Sequence, residues 1–225
     1  MSAGDVSGAP GRGERGASAA SAERSTRERI LYEASNLFAR QGYHGTTTRE
    51  IATAVGVRQP SLFYHFPSKG AIMQALLASD LDEALPFVLA LARGRGPASV
   101  RLYRYLRRDV DHLAGSPYNL SGLYTEEVMG DPEFAPWARK RTRLHAAVEG
   151  MVREGVASGE FVPVTPALVR EAIAGILVRT LVLYSGRPGA PTKLGEEVAA
   201  FVLRALLSDP GRLREIRRRA LAADA

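Results

Sequence analysis

Cysteine is absent from all 225 residues, which removes disulfides, thiolate metal sites and cysteine nucleophiles together. A chain without thiols suits a reducing compartment, and a cytoplasmic location is expected. Long apolar runs are missing too. No window approaches the roughly 20 uninterrupted apolar residues that a membrane span needs, and the opening stretch, Met1 to Ser25, lacks the apolar middle of a signal peptide. No membrane partner is expected. Neither Gly-x-Ser-x-Gly, nor a phosphate loop, nor a dinucleotide fingerprint occurs, so nothing marks an enzyme and no cofactor or metal is expected. Strand-like alternation of apolar and polar residues is lacking throughout. The expected fold class is all-α.

What is present is ordinary in amount and informative in position. Apolar residues make up 45% and charged residues 24% of the chain, near the average of soluble globular proteins. Lysine is scarce, and arginine supplies most of a formal +6 charge. Such a balance favours a polyanionic partner, because each neutralised phosphate releases condensed counterions. Residues 1–24 are mostly Gly, Ala, Ser and Arg and cannot offset the entropy of ordering, so a disordered tail is expected there.

From Ser25 the pattern changes. Ser25 and Glu28 stand at capping-box spacing, and Ile30, Ala34, Leu37 and Phe38 then share a helical face as far as Gln41, with Gly42 placed to supply a left-handed residue. Thr47 and Glu50 open a second, short helix on Ile51, Ala52 and Val55, which Gly56 stops. Gln59 to Phe66 form a third, with Pro60 tolerated in the first turn, and Pro67 ends it. Ser68 and Lys69 begin a fourth, carrying Ile72, Met73, Leu76 and Leu77. Further helices are expected near 98–114, 119–129, 132–158, 165–185 and 191–207. Their starts are marked by Pro97, Asp131-Pro132, Thr165-Pro166 and Pro191.

Residues 48–65 meet the needs of two helices that read DNA: a small residue at the crossing, a turn residue free to take positive φ, and apolar anchors. Ala52 is the small residue, Gly56 the turn, and Ile51, Val55, Val57 and Leu62 the anchors. Phe38, Leu62, Phe63 and Phe66 are assigned to packing. Arg58, Gln59, Ser61, Tyr64 and His65 are left facing outward, and such side chains donate to phosphates, hydrogen-bond base edges or pack on a thymine methyl.

Residues 25–77 resemble the DNA-binding helix-turn-helix module of the TetR family of bacterial regulators. The resemblance lies in Phe38, Gly42 and Tyr43; in Thr46, Thr47 and Thr48; in Gly56 and Val57; in Phe63, Tyr64, His65 and Phe66; and in Ser68 and Lys69. Pro60 stands where the family often has a small residue, and Gly70 where an acid is common. The resemblance implies that Thr47, Thr48, Tyr64, His65 and Lys69 contact phosphates and that Arg58, Gln59, Pro60 and Ser61 face base edges. Lys69 with the amides that start the fourth helix would make a cationic helix N-terminus suited to a phosphate, and the Thr47 hydroxyl would serve alike at the second helix. The organisation implied is a tail (1–24), a DNA-binding domain (25–70) and a helical ligand-binding and dimerisation domain (71–225). The implied partners are double-stranded DNA with a palindromic operator, a second copy of the chain and a small-molecule effector that releases the repressor from DNA.

Residues 168–184 and 194–207 are apolar nearly all round, and such helices are buried on more than one side. Ile176, Thr180, Leu183, Phe201, Val202 and Ala205 are assigned to a dimer interface, which would set two recognition helices roughly 34 Å apart along a two-fold operator. Tyr103, Leu106, Tyr124, Val128, Phe134, Trp137 and Met151 either line an effector pocket or fill a core. The run Arg212, Arg214, Arg217, Arg218 and Arg219 is read as a solvated terminal helix in preference to a second nucleic-acid patch, and His112 beside Asp109 and Asp111 as accidental clustering in preference to a metal site. The rival functions are a ligand-independent DNA-binding or partner-binding protein of the same fold, and a helical enzyme or metal-binding protein.

Overall fold

A computed structural model of the chain describes residues 24–187 and 189–223. The tail expected over 1–24 lies outside the described residues except for Arg24, whose guanidinium sits 4.3 Å from the centre of the Tyr32 ring. The described residues form α1 (Thr26–Gln41), α2 (Thr48–Val55), α3 (Gln59–His65), α4 (Lys69–Arg93), α5 (Ala98–Gly115), α6 (Glu126–Gly130), α7 (Ala135–Ala157), α8 (Pro166–Tyr184), α9 (Leu194–Leu206) and α10 (Leu213–Ala222). Short 3-10 turns lie at Leu120–Gly122, Pro132–Phe134 and Pro210–Arg212. Extended pairing among the described residues amounts to one isolated bridge between Phe161 and Leu207, so the fold is all-α. No described helix is long and apolar enough to cross a membrane.

Local chemistry sets most helix ends where the sequence placed them. The Ser25 hydroxyl accepts from the Glu28 amide at 3.3 Å while the Glu28 carboxylate accepts from the Ser25 amide at 2.8 Å, satisfying two donors at the start of α1. Gly42 has the expected positive φ of 77°, but its ψ of 166° is extended, a region open to glycine and not the left-handed helical one. Two expected helices are interrupted. Over 119–129 a 3-10 turn precedes α6, because the Thr125 hydroxyl accepts from the Val128 amide and starts a new helix there. Over 132–158 the Asp131 carboxylate accepts from the Glu133 amide at 2.8 Å and caps a 3-10 turn before α7. Thr165 occupies the N-cap of α8 without a side-chain cap bond, and α9 begins at Leu194, beyond Pro191.

Pro97 has no side chain able to cap α5. The Glu160 carboxylate, from the loop after α7, instead accepts from the Ala98 and Ser99 amides at 3.0 and 3.1 Å. Buried Arg101 works at the other end of the same corner. It donates to the Leu91 and Ala92 carbonyls at 3.3 Å, satisfying the C-terminal carbonyls of α4, and pairs with Glu154.

The core has two parts joined by α4. Ile72, Met73, Leu76 and Leu77 pack with α1–α3 and with Leu120, Leu123, Val128 and Phe134. Leu81, Leu85, Val88 and Leu91 pack with α5, α7, α9 and α10. The boundary expected at residue 70 therefore falls in the first turn of a continuous helix. The terminal helix α10 docks through Ile216 and Ala220, and Arg217 pairs with Glu196.

At Gly122 the 3-10 turn lies directly on the end of α1, since a Cβ there would lie 2.7 Å from the Phe38 carbonyl carbon and 2.8 Å from the Ala39 amide. Gly122→Ala is expected to lower the unfolding free energy by ~1–3 kcal/mol as an overpacking substitution. Gly150→Ala, in α7 with open space around its Cβ, is expected to raise it by ~0.4–1 kcal/mol. Urea denaturation of both variants measures the contrast.

Candidate nucleic-acid interface

The α1–α2 loop is fixed from below. Buried Tyr43 packs its ring edge-on to Phe134 at 5.1 Å and tilted to Phe38 at 5.5 Å, while the Thr46 hydroxyl donates to the Gly42 carbonyl at 2.8 Å. Thr47 then opens α2 with a complete capping box: its hydroxyl accepts from the Glu50 amide at 3.2 Å and donates to the Glu50 carboxylate at 2.7 Å. That carboxylate, lowered in pKa mainly by the Thr47 hydroxyl, already occupies the amide end of α2. Gly56 closes the helix at φ 75° and ψ 34°, the left-handed turn that the motif needs, and the Arg29 guanidinium donates to the Val55 carbonyl from α1.

Helix α3 has seven residues and buries Leu62 alone, with Phe66 buried at its C-cap. Arg58, Gln59, Pro60 and Ser61 are all exposed. Gln59 Nε2 donates to Thr48 Oγ1 at 3.0 Å, joining the first turns of α2 and α3. Tyr64 is 87% exposed and stands edge-on to half-buried His65 at 5.3 Å. Phe63, assigned to packing, is 42% exposed. Leu62 and Phe66, four residues apart, take the inward face, and the 100° step from residue 62 turns Phe63 away from it. Arg27, exposed on α1 and 4.8 Å from the Phe66 ring centre, adds a cation beside α3 that motif matching does not single out.

Lys69 departs from the role expected of it. Its ammonium donates to the Tyr43 and Thr46 carbonyls at 2.7 and 2.8 Å and lies 4.2 Å from the Tyr43 ring centre. Burial lowers its pKa. Two of its three donors are thus spent on the α1–α2 loop, and the side chain ties α4 to that loop instead of reaching outward. Gly70 also has a physical reason. The Glu133 carboxylate, from the 3-10 turn before α7, occupies the space a Cβ would need, which leaves room for glycine alone.

The family model described as "Bacterial regulatory proteins, tetR family" matches residues 30–76. The chain is 30% identical to AmtR of Mycobacterium smegmatis, with a TM-score of 0.74 over 89% of this chain and 96% of that one. It belongs to the TetR family. The regulator UidR of Escherichia coli K12 is 26% identical over 162 residues, covering 68% of this chain and 80% of UidR. AibR, solved with isovaleryl coenzyme A and operator DNA, shares the fold at 19% identity and a TM-score of 0.56 over 83% of this chain. As a TetR-family member the chain is a DNA-binding transcriptional regulator.

In this TetR-family regulator a cavity of about 60 Å³ lies between α4, α5, α7 and α8. Of the residues assigned to a pocket, Tyr124 lines it. Leu106, Val128, Phe134 and Met151 are buried in packing, Trp137 is half-buried beneath the Lys140 ammonium, and Tyr103 packs in the core. Asp80 and Asp109, which do line it, were missed because acids at helical spacing look like a solvated face. His112 lies 3.4 Å from Asp80 and 3.7 Å from Glu83. Among the described residues no group of three or more His, Asp or Glu side chains converges as metal ligands.

The residues assigned to dimerisation divide. Leu183, Phe201 and Ala205 are exposed and Ile176 half-buried, but Thr180 and Val202 are buried within the chain, the Thr180 hydroxyl donating to the Ile176 carbonyl at 3.0 Å. The large apolar side chains left exposed on these two helices are Leu168, Val178, Val182 and Leu183 of α8 and Phe201 of α9.

Lys69→Met is expected to destabilise the chain by ~1–3 kcal/mol, since two buried carbonyls lose a charged donor. Tyr64→Ala, at an exposed position, is expected to change stability by less than ~0.5 kcal/mol. Thermal denaturation followed by circular dichroism separates the two roles.

Proposed function

We propose that the chain is a homodimeric repressor that reads a two-fold symmetric operator with residues 47–69 and leaves it when a small molecule fills the cavity between α4, α5, α7 and α8. It acts in the cytoplasm and catalyses no reaction. The observation that carries this reading is the composition of α3, which keeps Leu62 for packing and turns Gln59, Pro60, Ser61, Phe63 and Tyr64 to solvent. Polar side chains at its start suit base edges, while aromatic ones further on suit sugar, thymine methyl and phosphate. Arg58, Thr48 and His65 flank them. Thr47 and Lys69 act chiefly by holding α2 and α4 in place, each with hydrogen bonds already committed to the protein.

Dimerisation is assigned to the open apolar face of Leu168, Val178, Val182 and Leu183 on α8 with Phe201 and Ala205 on α9, without Thr180 and Val202. Five large apolar side chains left exposed on two neighbouring stretches of sequence suit an interface, and a two-fold partner doubles the contacts of a short recognition helix.

The release step has a physical route. Residues 119–134 clasp the DNA-reading part: the Asn119 amide donates to Ser35 Oγ at 3.0 Å, Glu127 accepts from the His44 amide at 3.2 Å, and Glu133 accepts from the Tyr43 hydroxyl at 3.3 Å. The same segment sends the Tyr124 hydroxyl onto Asp80 in the cavity wall. A ligand that takes Asp80 displaces Tyr124 and shifts the clasp. Release requires that the ligand bind the DNA-incompetent arrangement more tightly, since equal affinities shift nothing. AibR, caught with both a ligand and operator DNA, supports such a pairing of sites in this fold.

Selection of preferred duplexes from a random pool tests the reading, with a two-fold symmetric winner favoured by ~10³ or more over a scrambled control expected. On that winner Gln59→Ala is expected to cost ~1–3 kcal/mol at particular base pairs, and Phe201→Glu to yield monomers by light scattering with loss of operator binding. An enriched sequence without symmetry would sink the dimeric reading.

A further inference from the structure

The groups able to carry charge that line the cavity are Asp80 from α4, Tyr105 and Asp109 from α5, Tyr124, and Arg141 and His145 from α7. Burial raises both tyrosines well above the ordinary phenol value. Burial, and then the charge of Arg141, pull His145 down to about 4, so it is neutral as well. Asp109 accepts from the Tyr105 hydroxyl at 3.2 Å and is pushed up to about 7 by burial and then by the charge of Asp80. His112, outside the lining, adds a second cation 3.4 Å from Asp80 Oδ1, its pKa raised by that acid. Beyond it Glu83 and Arg108 pair with each other at 2.8 Å, and beyond His145 the Arg170 guanidinium pairs with Glu149 and Glu171 at 3.3 and 2.7 Å. With Asp109 ionised, two acids face two cations. A wall balanced in this way favours a ligand of no net charge.

Balanced in number, the signs are separated in space. Asp80 and Asp109, 4% and 8% exposed, stand on α4 and α5, whereas Arg141 stands on α7. One tyrosine lies between them: the Tyr124 hydroxyl donates to Asp80 Oδ2, and the Tyr124 ring centre is 5.4 Å from the Arg141 guanidinium carbon. Asp80 Oδ1 accepts no hydrogen bond. Half-buried Arg141 makes neither an ion pair nor a hydrogen bond among the described residues. The acidic side therefore keeps an unmet acceptor, which is costly when buried. The basic side keeps an unmet fork of N–H donors, whose geometry matches a carboxylate.

Size and the remaining wall narrow the occupant. A volume of about 60 Å³, at ~10–15 Å³ per water, holds about four to six water-sized groups. Leu81, Leu144, Leu177 and Leu181 supply an apolar wall for the few carbons between two charged ends.

We propose that this cavity binds a small zwitterion, an amino acid whose ammonium is received by Asp80 Oδ1 and whose carboxylate is received by Arg141. The proposal rests on the ligand-responsive reading above and names the chemistry of its ligand. Such a ligand meets both unmet groups at once and leaves the net charge of the cavity as it was.

Glycine, alanine and β-alanine are the probes. Propylammonium, propionate and propionamide are controls of similar size that carry one charge or none. Calorimetric titration of the full chain at neutral pH is expected to show saturable binding of at least one amino acid, with every control weaker by ~10-fold or more for want of one charge-assisted end. Arg141→Met removes a side chain without protein partners, so it is expected to leave the unfolding midpoint unchanged and to weaken the amino acid by ~10-fold or more. Asp80→Asn should weaken it too, and Arg141→Met keeps the test open if that buried substitution does not fold. The proposal is overturned if no amino acid binds, if any control binds as tightly as the best amino acid, or if Arg141→Met leaves amino-acid binding unchanged. Operator affinity is read separately. An amino acid that binds without weakening operator affinity supports the cavity chemistry and sinks the release mechanism, whereas release by propionate or propylammonium alone overturns the cavity chemistry and leaves release standing.

Discussion

A helix of seven residues gains too little from its own hydrogen bonds to persist in water, so α3 exists only as far as its neighbours hold it. Burying a leucine is worth ~1.5–3 kcal/mol, and Leu62 with Phe66 supplies most of what fixes α3 against α1 and α2. Gly56 sets the angle at which it arrives, and the bond from Gln59 to Thr48 pins its first turn. Because so few side chains are needed for anchoring, the rest of the helix is free to carry chemistry. Placing them on a helix held at one angle meets the requirement that base-reading groups arrive in a fixed register.

The anchoring does not stop at the three short helices. Tyr43 and Lys69 extend it into the rest of the chain, Tyr43 by donating to Glu133 and Lys69 by pinning the Tyr43 and Thr46 carbonyls from the start of α4. The loop that launches α2 is therefore held by residues on both sides of the boundary drawn from sequence. Helix α4 packs one half of its length with the DNA-reading helices and the other with the cavity-bearing bundle, so a single helix joins the two.

Legibility from sequence followed the range of the interactions. The capping boxes at Ser25 and Thr47, the glycine turn at Gly56 and the proline in the first turn of α3 are encoded within four residues of where they act, and the structure has them all. Features made by distant residues stayed hidden. Glu160 capping α5, Arg101 closing α4 and Glu133 filling the space over Gly70 each join residues more than five positions apart, and no local pattern announces them. The resemblance named Lys69 but not its direction, since a lysine at a helix start can reach outward to a phosphate or inward to two carbonyls. Thr180 and Val202 failed for a related reason: on helices that are apolar nearly all round, periodicity gives no way to tell the inward face from the outward one. The acids of the cavity were hidden by composition, as Asp80 and Asp109 are indistinguishable in sequence from surface carboxylates until α4 and α5 are packed together.

Val178 belongs both to the cavity wall and to the open apolar face of α8. In the proposed dimer this places the ligand one helix thickness from the two-fold contact, and two ways of moving the recognition helices compete: sliding the subunits, or tilting each DNA-reading part about its own α4. The first disrupts a broad apolar surface whose burial scales with area. The second disturbs hydrogen bonds at Ser35, Tyr43 and His44, each worth about 1 kcal/mol, together with the packing of Leu120, Leu123, Val128 and Phe134 against α1–α3. A ligand that draws Asp80 away from Tyr124 acts directly on residues 119–134, so tilting through that segment is the motion that the arrangement of contacts favours.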